Sequence, residues 1–249
     1  MREILKYADG PAVASAAANA LLTHIADLLT SKQFVHISIT GGTVGILTLV
    51  KIAEHADRDS VDWKRVHIWW GDDRFVAPDD ADSNALQARD ALLSQLNLDA
   101  ALVHEFPKND AKSSVSIDEQ LDAAAVKFAT SVSALSNPET GFIDFDVTLL
   151  GMGPDGHIAS LFPGHAIPEA GVSIIAEHSS PKPPPQRLSF TYEAINHSKE
   201  IWFVVAGADK AEAVSVAFSS APTRLPVGRV AGIHKTLWFI DEAAAEGIV

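Results

Sequence analysis

The sequence predicts an α/β fold, a mostly parallel sheet with helices on both faces, on three observations. Short apolar runs rich in β-branched residues alternate with segments of helical spacing. The stretches joining them carry glycine and polar residues where an apolar run stops. At 249 residues with 47% hydrophobic content, the chain is long enough for one sizeable core, so one domain spanning 1–249 is expected.

From the N-terminus, MREILKYADGPAVASAAANALLTHIADLL reads as an amphipathic helix, punctuated by Asp9, Pro11, His24 and Asp27, and not as a signal peptide or a membrane span. Phe34 to Ile39 reads as a strand, Thr40-Gly41-Gly42-Thr43 breaks it, and Val44 to Glu54 resumes at helical spacing. Val66 to Trp70 forms the next strand, followed by a polar loop through Asp82 and a helix from about Asn84 to Leu96. A short strand is expected at Val103 to Phe106 and a long amphipathic helix at Val115 to Leu135. Phe145 to Leu150 is a buried strand; weaker ones follow near 172–176 and 187–190, and a strong one at Ile201 to Ala206. A helix over Ala208 to Phe218 and a strand over Thr236 to Ile240 complete the alternation. Ser179 to Pro185, with four prolines, reads as a stiff loop.

Composition excludes several functions. The chain has no cysteine, which removes disulfides, thiolate catalysis and cysteine-ligated zinc, and fits a cytoplasmic protein. A formal charge of −13 argues against nonspecific binding to nucleic acid or to an anionic membrane. An anionic ligand therefore needs a local basic island. The ten histidines are scattered with no HExxH or H-x-H pair, so no metal and no cofactor is expected.

Chemistry concentrates in LLGMGPDGHIASLFPG, Leu149 to Gly164. A strand ends at Leu150 in a turn holding Gly151, Gly153 and Gly156, an acid, Asp155, and a titratable base, His157, which is expected to open a helical turn. In open α/β sheets ligands bind beyond the carboxyl ends of the strands, where this turn falls. The alternative is a tight connection whose Asp caps a helix and whose His is solvated. Thr40-Gly41-Gly42-Thr43, between a strand and a helix, could hold a phosphate on backbone N–H groups, or be a plain capping turn. It lacks the lysine of a Walker loop and does not match G-x-G-x-x-G. Trp69-Trp70-Gly71-Asp72-Asp73-Arg74 aims a guanidinium, held by the neighbouring carboxylates, at substrate oxygens, or forms a surface ion pair. Arg187 sits at a strand entry, and Lys210 in the first turn of a helix, where a cation opposes the macrodipole unless an anion is near. Taken singly, such a basic residue is more often a solvated surface group. No G-x-S-x-G elbow is present, which argues against a serine hydrolase.

Taken in order, TGGT, WWGDDR, GMGPDGHIASLFPG, SPKPPPQRLSF, VAGADKAEAV and LWFIDEAAA resemble the 6-phosphogluconolactonase family over nearly the whole chain. The resemblance implies a Rossmann-like sheet and hydrolysis of 6-phospho-D-glucono-1,5-lactone to 6-phospho-D-gluconate in the oxidative pentose phosphate pathway. It implies that His157 activates water and Asp155 orients or polarises it, with Gly42, Thr43, Arg187 and Lys210 holding phosphate and Arg74 as a further substrate-binding cation. The partner is then a small sugar-phosphate lactone, and the chain a monomer or weak homodimer. Two positions depart from the family pattern: Asp73 stands where Glu is common, and Thr40 where Ser often opens the Gly-Gly loop. The alternatives are a glucosamine-6-phosphate isomerase/deaminase, which usually carries Asp-Glu-Tyr in place of Asp72-Asp73-Arg74, and a non-catalytic sugar-phosphate sensor.

Overall fold

The computed structural model describes residues 1–246 and 248. Its main sheet has six parallel strands: β1 (Arg2–Tyr7), β2 (Val35–Ile39), β3 (Val66–Trp70), β5 (Val147–Leu150), β8 (Glu200–Val205) and β9 (Lys235–Asp241), in the order β1-β9-β8-β5-β2-β3. A small antiparallel sheet, β4-β7-β6, is built from β4 (Asp72–Arg74), β6 (Ile174–Glu177) and β7 (Arg187–Phe190). The helices are α1 (Gly10–Leu29), α2 (Thr43–Glu54), α3 (Asn84–Ala91), α4 (Ile117–Ser133), α5 (Tyr192–Asn196) and α6 (Ala211–Ala217).

Several expectations are corrected. Residues 2–7 are not helical: they pair in parallel with β9 from Arg2↔Thr236 to Tyr7↔Asp241. The helix starts only after Asp9, whose carboxylate accepts from Ala12 N–H at 2.8 Å, with Pro11 in the first turn, where its missing N–H costs nothing. The expected 84–96 helix stops at Ala91 and gives way to a 3₁₀ turn at Leu93–Gln95. The expected strand at 103–106 reduces to a single bridge, Val103 to Ile68. The helix expected from Ala208 begins as a 3₁₀ turn, with α6 starting at Ala211.

Strand register assigns the two faces. Trp202, Leu237 and Phe239 share one face with Ile37 and Ile39, and α1 packs there, His24 lying 5.6 Å from Trp202 between ring centroids. By length and composition α1 could cross a bilayer, at 20 residues and mean hydropathy 1.4, but its apolar stripe from Val13 to Ile25 lies in the core. The other face carries Trp69 and Trp238; Phe190 of β7 meets Trp69 edge-on at 6.4 Å, and Phe218, just after α6, meets Trp238 at 4.9 Å. Helices thus lie on both faces.

The chain order places the ligand-binding end. From β2 the chain winds outward to β3, whereas β5, β8 and β9 wind the opposite way, so the direction reverses between neighbours β2 and β5. Open α/β sheets open a crevice at such a reversal, beyond the carboxyl ends of the strands. The two loops that leave there are Thr40–Gly42 and Gly151–Ile158, and the hydroxyl of Thr40 accepts from Gly151 N–H at 3.3 Å.

The opposite end of β5 is an anchor. The buried Asp146 carboxylate binds Lys32, accepts from Lys199 Nζ at 3.0 Å and from His36 N–H at 3.0 Å. Beside it three imidazoles stack: His36 on His67 at 4.1 Å, and His67 against His104, with His67 Nδ1 2.9 Å from His104 Nε2. Burial first, then the neighbouring His67, lowers His36 to about 4, against an ordinary value of 6.5. The unfolded chain therefore gains a proton below pH 6.5 that the folded chain refuses until about pH 4, so stability falls with acidification across that window. His36 alone is expected to remove about 2 kcal/mol between pH 7 and 5. His36→Phe, which keeps a stacking ring, should show a smaller fall in Tm over that range than the parent protein; an unchanged fall would remove His36 as a cause.

Candidate active site

The turn after β5 is shaped by its glycines. Gly156 holds φ at +78°, where an L side chain is strained, and its carbonyl accepts from Val227 N–H at 3.0 Å. Gly153 has a different reason: a Cβ there would lie 2.0 Å from His157 Nδ1 and 2.5 Å from Asp155 Oδ1. The imidazole rests on bare backbone, and Gly153 N–H donates to the His157 carbonyl at 2.9 Å. His157 does not open a helix. The residues after it form a tight turn with Ala159 at φ +46° and a bridge between Ile158 and Leu161, because the chain must double back to bury Ile158 and Ser160.

His157 Nδ1 and Asp155 Oδ1 are 2.5 Å apart. With an ionised Asp, Nδ1 carries the hydrogen and donates, which leaves the Nε2 lone pair free. Burial pushes the imidazole below its ordinary value; Asp155's hydrogen bond and charge partly oppose this, and the Lys182 ammonium adds to it. For Asp155, burial acts upward, but His157 and backbone N–H groups outweigh it and hold the carboxyl low. The outcome is a neutral base beside a carboxylate near pH 7, its ring 4.8 Å from that of Phe162.

The cations gather near this pair. Arg74 on β4 and Arg187 on β7 are register partners in the small sheet, so their side chains leave the same face. Burial first, and then the charge of Arg74, act against the Arg187 cation, while the buried Asp72 carboxylate favours it. Lys182 feels Asp155, Lys210 and Arg187, in that order after burial. Lys210 closes a 3₁₀ turn at the N-cap of α6, and its ammonium is 2.9 Å from Asp209, which offsets the unfavourable helix end. Gly42 caps α2 without a side-chain bond and Thr43 opens that helix, so their N–H groups face out of its N-terminus.

The two arginines differ in freedom. Arg187 is buried and bonded to its own loop: Nε donates to the Pro184 carbonyl at 3.2 Å and Nη2 to that of Lys182 at 3.0 Å. Its Nη1 is 3.9 Å from Asp72 Oδ2. Arg74 donates Nη1 to the Asp82 carbonyl at 2.6 Å, while its Nε is buried without a partner. An orphaned charged donor beside other cations is what an anion would satisfy.

The paired acids separate. Asp73 accepts from Arg74, Asn84 and Ala85 N–H at 2.8, 2.7 and 3.2 Å and binds Lys108, so it caps α3 and anchors β4. Asp72 accepts from Ser160 Oγ at 2.6 Å; burial raises its carboxyl, against the lowering pull of Ser160, Arg187 and Arg74. Sequence reasoning missed two candidates: Lys182, whose only signal is its place inside the proline-rich loop, and Ser160; the two acids expected to hold Arg74 instead make their bonds to Ser160 and to the α3 N-terminus, pairings that are tertiary. Among the described residues no cluster of three or more His, Cys, Asp or Glu is placed to hold a metal.

The profile described as glucosamine-6-phosphate isomerases/6-phosphogluconolactonase matches residues 8–238. A 6-phosphogluconolactonase of Streptomyces coelicolor is 39% identical over 98% of this chain and 93% of the relative. One of Mycobacterium leprae is 37% identical over 97% and 96%. The crystal structure of 6-phosphogluconolactonase from Thermotoga maritima superposes with a TM-score of 0.82 at 25% identity, covering 97% of this chain and all of the other. The chain belongs to the glucosamine-6-phosphate isomerase/6-phosphogluconolactonase family.

Proposed function

We propose that the protein is a 6-phosphogluconolactonase, hydrolysing 6-phospho-D-glucono-1,5-lactone to 6-phospho-D-gluconate in the oxidative pentose phosphate pathway. The observation that carries this is the neutral His157, oriented by Asp155, beside a group of cations at the sheet's reversal point. Full-length relatives named for the same activity support it. A phosphorylated sugar does not cross membranes unaided, so the reading carries a cytoplasmic location with it.

A δ-lactone is an ester whose hydrolysis needs a deprotonated water, charge stabilisation at the carbonyl and a proton for the departing ring oxygen. His157 Nε2 takes a proton as the water oxygen bonds to C1 and the carbonyl π pair moves onto oxygen. Collapse of the tetrahedral intermediate breaks the bond from C1 to the ring oxygen, which takes the proton from the imidazolium. Asp155 fixes the tautomer and stabilises the transient cation. Lys182 adds positive charge beside the pair as the oxyanion forms. The phosphate is held by the N–H groups of Gly42 and Thr43, by Arg74 and Lys210, and by the one Arg187 nitrogen with no hydrogen bond to its own loop. Binding energy at that end positions C1 against the imidazole.

Isomerisation with deamination of an amino-sugar phosphate needs a carboxylate that takes a proton from carbon. Asp72 is buried and bonded to Ser160, and Asp73 is enclosed by the α3 N-terminus. Neither acid is free for that step. The test compares turnover of freshly generated lactone, above its spontaneous rate, with ammonia release from glucosamine 6-phosphate. Lactone loss without ammonia is expected; the reverse pattern overturns the reading. Because burial lowers the His157 imidazole below its ordinary value, the acid limb of kcat/KM should have its midpoint below pH 6.5, as the base becomes protonated; a midpoint at or above 6.5 would contradict this.

A further inference from the structure

Two ends of the site have to act together: an imidazole facing C1 and cations facing the phosphate. They sit on different pieces of the fold, His157 on a turn of the main sheet and the two arginines on the small sheet. One buried side chain joins them. Asp72 opens β4 two residues before Arg74, on the same face, in register with Ser189. Its backbone is fixed, with the Asp72 carbonyl accepting from Asn84 Nδ2 at 3.0 Å and the neighbouring Gly71 bonded to both Ile39 and Phe190. One carboxylate oxygen accepts from Ser160, three residues beyond His157, at 2.6 Å and lies 3.9 Å from Arg187 Nη1. Ser160 is fully buried, and its N–H donates to Ser189 Oγ at 3.3 Å, so the turn bearing the base is fastened to β4 and β7 together.

We propose that Asp72 and Ser160 are positioning residues that couple the two ends, so that an anion bound by the arginines fixes the imidazole of His157 for attack. The coupling rests on the lactonase reading for its catalytic meaning and on the buried carboxylate for its physical basis. An anion that draws Arg74 and Arg187 toward itself changes the charge opposite Asp72. Asp72 transmits the change through a short hydrogen bond between two buried groups, which has no slack to absorb it. Neither residue touches substrate.

Ser160→Ala cuts the link while keeping the charges. For the phosphorylated lactone kcat should fall about tenfold with KM within about twofold. For unphosphorylated glucono-δ-lactone, which leaves the arginines empty, kcat/KM should change little, so the preference for the phosphorylated substrate shrinks by about the same factor. Asp72→Asn, of equal volume, should shrink it likewise, and thermal melts report whether each variant folds. A purely structural role would depress both substrates together and leave the preference intact. An independent readout uses inorganic phosphate as probe on the full chain with ¹⁵N-labelled histidine. Phosphate should move the His157 imidazole signals in the parent protein, and should still bind Ser160→Ala without moving them. Should the parent fail to turn over lactone, the catalytic reading falls and the imidazole response alone decides the coupling. An unchanged preference together with an unchanged imidazole response to phosphate in both variants overturns the proposal.

Discussion

His157→Ala is expected to lower kcat for the lactone by about 10²–10⁴, the usual worth of a positioned general base. Affinity for 6-phosphogluconate should change by less than about threefold, because the groups assigned to the phosphate do not contact this ring. Asp155 does not substitute as base: a carboxylate is far less basic than imidazole near neutral pH. The residual rate reflects binding and charge stabilisation alone. The measurement is steady-state turnover of enzymatically generated lactone, corrected for spontaneous hydrolysis, beside product binding by calorimetry. Activity within threefold of the parent would remove His157 from the mechanism, and the pair with Asp155 would then be a structural hydrogen bond.

Gly153→Ala should come close to that loss, at about 10²-fold in kcat, without removing any functional group. The added methyl would stand 2.0 Å from Nδ1 and 2.1 Å from Cε1 of His157, far inside contact distance. The cheapest relief is rotation of the imidazole away from the backbone, which breaks its bond to Asp155 and turns Nε2 off the water. Catalysis tolerates displacement of about 1 Å poorly. The fold should survive, because the clash is with side chains that face the partly open turn and not with the core. A Tm within a few degrees of the parent, alongside lost turnover, is the expected pair of results. Retained turnover would show that the ring works from another rotamer.

The contrast between these two positions shows what was legible beforehand. A strand ending in Gly-x-Gly-Pro-Asp-Gly-His points to a loop with an acid and a base, and the spacing of two allows them to bond. That Gly153 makes room for the protein's own histidine, and not for a ligand, depends on how the chain folds back at Ala159, which local pattern does not encode. β1 was hidden because Arg2–Tyr7 is an edge strand of mixed polarity running into an alanine-rich helix, although Asp9-Gly10-Pro11 marks the break. β4 is three residues long, too short for periodicity to register, and its partner β7 lies more than a hundred residues away. So the pairing of Arg74 with Arg187 is a tertiary fact, as is the bond between Asp72 and Ser160. Arg187 could be picked out as a basic residue at a strand entry. That its guanidinium would be largely engaged by the carbonyls of the proline-rich loop could not.

The Asp146 cluster sits at the far pole of β5 from His157. On the proposed mechanism, robustness and turnover reside in separate residues at opposite termini of one strand. A library of substitutions should divide accordingly: changes around Lys32, His36 and Lys199 would show as lost abundance with normal specific activity, and changes around the Gly153 turn as normal abundance of an idle enzyme. Selection can then retune what the protein acts on without eroding what keeps it intact.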